Sequence, residues 1–65
     1  MITRLINNKY ELKIEKTLDI HTNKIDYYYT LYDYEYNQKN KFEPAKILIE
    51  TNNFTEIAFY LDNNK

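Results

Sequence analysis

The chain has 65 residues, no cysteine, one histidine, and nine basic against ten acidic side chains, for a formal net charge of -1. That length fits a single domain, 1–65, with a small core, and the missing cysteines exclude a disulfide framework and the usual structural zinc site. The near balance of charge offers no long-range field for phosphate or an anionic membrane, which disfavours direct nucleic-acid or membrane binding.

Met1 to Ile6 has no apolar core of a secretion signal, and the longest apolar run, Ile57 to Leu61, is far too short to span a bilayer. A soluble, cytoplasmic protein is therefore expected. Glycine is absent too, which excludes loops that wrap a phosphate or pack against a dinucleotide. Turns must rest on asparagine, which tolerates the left-handed conformation better than other side chains. Asn7-Asn8, Asn23, Asn37, Asn40 and Asn52-Asn53 stand where the hydrophobic pattern breaks.

In chain order, Met1 to Ile6 is a candidate short strand, joined through Asn7-Asn8. From Lys9 to His21 the alternation is nearly strict: Tyr10, Leu12, Ile14, Leu18 and Ile20 point one way, and Glu11, Lys13, Glu15, Thr17 and Asp19 the other. A turn at His21 to Lys24 leads to a second strand, Ile25 to Tyr36. Pairing Ile20 with Ile25, Leu18 with Tyr27, Lys16 with Tyr29 and Ile14 with Leu31 keeps one face mostly apolar. A polar turn, Asn37 to Lys41, precedes a third strand within Phe42 to Thr51. Pairing Leu31 with Ile47 and Tyr29 with Ile49 keeps the same side inside. Pro44 lacks an amide hydrogen, so this strand belongs at an edge or begins after it.

The last segment changes period. Asn53 is a helix cap with Glu56 three residues on, and Phe54, Ile57, Ala58 and Leu61 fall on one stripe. A helix this short must pack on the inner face of the sheet. The expected fold is α+β: a three-stranded antiparallel sheet, four-stranded if Met1 to Ile6 joins, with one C-terminal helix on one face.

Little here suggests chemistry. His21 lies at a turn, where pairing with Asp19 or Asp26 would be needed to make a base; a solvated turn residue is the simpler reading. Glu11 to Glu15, with Lys13 between, reads as an outer strand face. Serine is absent with cysteine, and no threonine has an activating neighbour. No enzyme, catalytic residue, metal ligand or cofactor is expected.

Six tyrosines stand between Tyr27 and Tyr36, and alternation forbids them from sharing one face. Tyr27 and Tyr29 are expected to face the helix. Tyr28 and Tyr32 stand on the open side with Leu48, and Tyr34 and Tyr36 follow them unless a bulge near Asp33 turns them back. Tyrosine suits a half-buried strand without any function. It also offers large contact area at small entropic cost and is enriched at binding hot spots. Base stacking is a third reading, opposed by Asp26, Asp33 and Glu35 where lysine or arginine would be wanted. Phe59 lies opposite the inward helix stripe; a single exposed phenylalanine usually carries no function, and the functional reading is a dimer seam or the margin of a partner site.

Lysine outnumbers arginine eight to one, and asparagine, lysine, isoleucine, tyrosine and phenylalanine dominate, which are residues of AT-rich codons. With Lys46-Ile47-Leu48-Ile49-Glu50 followed by Asn53-Phe54-Thr55-Glu56-Ile57-Ala58, the glycine-free chain resembles the accessory proteins carried by phages of low-GC bacteria, anti-CRISPR proteins among them. That resemblance implies a non-catalytic inhibitor that occupies a surface on a host protein or nucleoprotein complex. DNA mimicry could be only local, around Asp26, Asp33 and Glu35. A small nucleic-acid-binding regulator and a homodimer formed by paired edge strands are the alternatives.

Overall fold

The structure is a computed structural model that describes residues 1–64. Four strands, β1 (Ile2–Ile6), β2 (Tyr10–Asp19), β3 (Lys24–Asp33) and β4 (Ile47–Thr51), form an antiparallel sheet in the order β1-β2-β3-β4. Two helices complete it: α1 (Tyr34–Lys39) between β3 and β4, and α2 (Phe54–Asn63) after β4. Met1 to Ile6 thus supplies the fourth strand. Its turn is made by Asn7 and Asn8, both at positive φ (53° and 57°), with Lys9 N–H donating to the Ile6 carbonyl at 3.0 Å. Two consecutive positive φ values make a primed hairpin turn, whose twist matches that of the flanking strands.

The inside of the sheet is the one expected, but both registers differ from expectation by two residues. Leu18 pairs with Ile25, Lys16 with Tyr27, Ile14 with Tyr29 and Leu12 with Leu31. The Asp19 carboxylate accepts the His21 N–H at 2.9 Å, so the turn opens at Ile20 and closes through Asn23 at φ 57°. A slip of two preserves side-chain parity, which is why the residues of β2 and β3 keep their faces. On β4, Ile49 pairs with Leu31 and Thr51 with Tyr29, with a bulge that places Ile47 opposite Tyr32.

The expected second strand is too long. At Asp33 the chain leaves the sheet and forms α1, with the Asp33 carboxylate capping the Tyr36 N–H at 3.1 Å. The Tyr34 N–H donates to the Lys9 carbonyl at 2.9 Å, which fastens the start of α1 to the β1–β2 turn. Tyr34 and Tyr36 are therefore helical and do not extend the tyrosine face of β3. Asn37 to Lys41 is a helix end as much as a turn. Asn40 donates from its backbone and side-chain nitrogens to the Tyr36 carbonyl, both at 2.9 Å.

The core is small. Leu12, Leu31 and Ile57 are buried, with Ile6, Tyr10, Ile14, Tyr29, Leu48, Ile49, Tyr60 and Leu61 packed around them. Each fully buried side chain contributes roughly 1.5–3 kcal/mol against a thin net margin. Asn53 caps α2 as expected, its side chain accepting the Thr55 N–H at 3.0 Å. The inward stripe is Ile57, Tyr60 and Leu61. Ala58 is exposed, and Phe54 is half exposed while its ring meets Tyr29 edge-on at 5.4 Å.

α2 covers only part of the inner face. At about 15 Å long, it seats over Leu12 and Leu31, and the hairpin of β2 and β3 runs on past it. Beyond the helix, Leu18, Ile25 and Tyr27 are 61 %, 49 % and 46 % exposed. Tyr27 was expected under the helix; it shares the helix-facing side but lies outside the cover.

Candidate functional site

The open face of the sheet, away from α2, follows from the register. One row across it reads Leu5, Glu11, Tyr32, Ile47; the next reads Thr3, Lys13, Thr30, Glu50; then come Glu15 with Tyr28, and Thr17 with Asp26. Tyr28 is exposed, whereas Tyr32 is half-buried. Between them Thr30 is buried at 4 % exposure, fixing the strand on which both rings stand.

Lys13 bridges this surface. Its ammonium lies 5.7 Å from the centre of the Tyr32 ring and 3.1 Å from Glu15 Oε1. Tyr32, first, and Glu15 hold its pKa above the ordinary lysine value. The lysine is thereby held against the sheet, and Glu11, Asp26 and Glu50 surround the tyrosines as acids. The face is aromatic and acidic. Such a surface complements a partner patch that is basic with apolar gaps.

The residues expected to share this surface divide into three groups. Tyr28, Tyr32 and Asp26 lie on it. Leu48 does not join it as expected: it sits at the β3–β4 bulge and packs against the core, and Ile47, 47 % exposed, stands opposite Tyr32 in its place. Asp33, Glu35, Tyr34 and Tyr36 belong to the start of α1.

Around α1 a separate network forms. The Tyr36 hydroxyl donates to Glu43 Oε2 at 2.6 Å, Lys46 Nζ lies 5.2 Å from the Tyr36 ring centre and 3.9 Å from Asp33 Oδ2, and the Asn37 side chain accepts the Lys46 N–H at 2.8 Å. The Glu43 hydrogen bond, with the charge of Glu43, raises the Tyr36 pKa above the ordinary tyrosine value. These contacts brace the connection that delivers β4 to the sheet edge.

Glu11, Glu15 and Glu50 were missed as site residues because they flank the tyrosines across strands. Their placement is legible only once the register is fixed. His21 is exposed, and it is its backbone N–H that meets Asp19. Among the described residues no group of three or more His, Cys, Asp or Glu side chains is placed to hold a metal ion, and no helix is long and apolar enough to cross a membrane. A cleft of about 530 Å³ opens between the β1–β2 turn and α2, lined chiefly by Ile6, Lys9, Tyr10, Ala58 and Leu61.

No protein-family model, no curated protein and no solved structure matches the chain.

Proposed function

We propose that this chain is a non-catalytic protein-binding inhibitor that docks through the open face of its sheet onto a basic, nucleic-acid-handling surface of a host protein or nucleoprotein complex. The observation that carries this reading is the juxtaposition of exposed Tyr28 and half-buried Tyr32 on one face of β3, with Glu11, Glu15, Asp26 and Glu50 around them. Aromatic anchors supply contact area, and carboxylates steer association toward positive charge and away from nucleic acid. The compositional likeness to phage accessory proteins of the anti-CRISPR kind supports a bacterial host cytoplasm as the place of action and a defence complex as the target.

The test uses the whole chain, immobilised in an extract of a low-GC bacterium. One protein or complex is expected to be retained, and Tyr28→Ala combined with Tyr32→Ala is expected to abolish retention while circular dichroism stays unchanged. Full retention by the folded double variant would contradict the reading.

A further inference from the structure

The face opposite the tyrosines carries a second, independent surface. Leu18, Ile25 and Tyr27 continue the same apolar rows that α2 covers nearer the core, and Ile20 in the turn beyond them is 76 % exposed. A sheet face patterned for burial is left uncovered over the outer half of the hairpin. On α2 itself, Phe59 is 69 % exposed on the side away from the sheet. Neither feature serves the tyrosine face.

We propose that a second copy of this chain accounts for both: the inner face of the β2–β3 hairpin of each copy lies on the outward side of α2 of the other, so that both helices are sandwiched between two sheets. Three properties select a second copy as the occupant. The first is charge. Lys16 stands in the inner row of the uncovered hairpin with no acid paired beside it, whereas α2 carries Glu56 in its exposed first turn. A two-fold axis that sets hairpin on helix brings Lys16 of one copy toward Glu56 of the other, twice. The second is length. The ten residues of α2 span about 15 Å, and the uncovered stretch from Lys16 to Ile20 spans about 16 Å. The third is area. Leu18, Ile20, Ile25, Tyr27 and Phe59 together expose on the order of 600 Å² per copy, most of the roughly 800 Å² per partner of a stable interface.

Such a dimer shields the apolar hairpin, adds support to a three-residue core, and leaves both tyrosine faces outward. It stands whether or not the tyrosine face binds a host protein, and the experiment below reads it without any such partner.

Sedimentation equilibrium of the whole chain, 8.0 kDa as a monomer, decides. A mass of twice that value is expected at high micromolar concentration. Ile25→Glu and Phe59→Glu, made separately at exposed sites, are each expected to give a folded monomer. Lys16→Glu is expected to weaken the dimer by roughly tenfold or more, and adding Glu56→Lys is expected to restore it. A wild-type chain that stays monomeric at the highest concentration would overturn the proposal in favour of a heterologous occupant. A dimer that survives both Ile25→Glu and Phe59→Glu would overturn it in favour of edge pairing through β1, and failure of the charge reversal to restore association would overturn the hairpin-on-helix arrangement.

Discussion

Lys13 reaches across from β2 to hold its ammonium 5.7 Å above the ring of Tyr32 on β3, while Glu15 closes on it from the side at 3.1 Å. This pairing sets the sign of the open face, because the one lysine among the inner rows of that face is already engaged by a carboxylate. Lys13→Ala should leave the fold intact, since the group is on the surface and exposed ion pairs contribute little. It should speed association with a basic partner at low salt, an effect that fades as salt rises past the screening range. Stopped-flow or surface-plasmon association rates at two salt concentrations check this. An unchanged or slower rate would mean that the partner surface is not basic.

The core predicts a sharp division between substitutions. Leu31→Ala or Ile57→Ala removes one of the fully buried side chains and should cost about 2–5 kcal/mol, enough to unfold most of a domain this small. Tyr28→Ala, on an exposed ring, should cost well under half as much. Urea titrations followed by circular dichroism measure both.

Asp33 ends β3 and starts α1. Asp33→Ala should cost about 1 kcal/mol through loss of the cap on the Tyr36 N–H, and should loosen the loop held by Lys46. Asp33→Asn should recover most of the loss, because asparagine caps as well as aspartate does. Equal destabilisation by both would show that the ion pair, and not the cap, matters.

The alkaline limb of stability has a defined sign. The Glu43 hydrogen bond raises the Tyr36 pKa, and Tyr32 with Glu15 raises that of Lys13. Both shifts favour the protonated form in the folded state. The stabilisation is therefore complete below the ordinary values of these groups and is lost as pH rises through the higher folded values. Absorbance titration of the phenols should show one tyrosine ionising late, and Tyr36→Phe should remove that late component. Glu43→Gln should shift it toward lower pH.

These relationships were legible in the sequence to different depths. Alternation assigned the inside of the sheet correctly, because parity survives a slip of two residues. It could not fix the register, which depends on the Asp19 carboxylate drawing the turn back to Ile20. Asn53 and the stripe through Ile57 and Leu61 announced α2. α1 was missed although Asp33 as a cap, Glu35 in the first turn and Lys39 in the last all signal a helix; the β-rich tyrosine run outweighed them. The exchange of Ile47 for Leu48 on the open face came from a bulge, which leaves no mark in the hydrophobic pattern. What the rise per residue does show, about 1.5 Å in a helix against about 3.3 Å in a strand, is that the ten residues of α2 cannot cover a hairpin of ten-residue strands.

The most direct test of the docking face is a photo-crosslinking amino acid placed at Tyr28, with the same group at fully exposed Phe42 as the control. Irradiation in host extract should join one protein to the chain from position 28 and none from position 42. Crosslinking of that protein from position 42 but not from 28 would contradict docking through the tyrosine face.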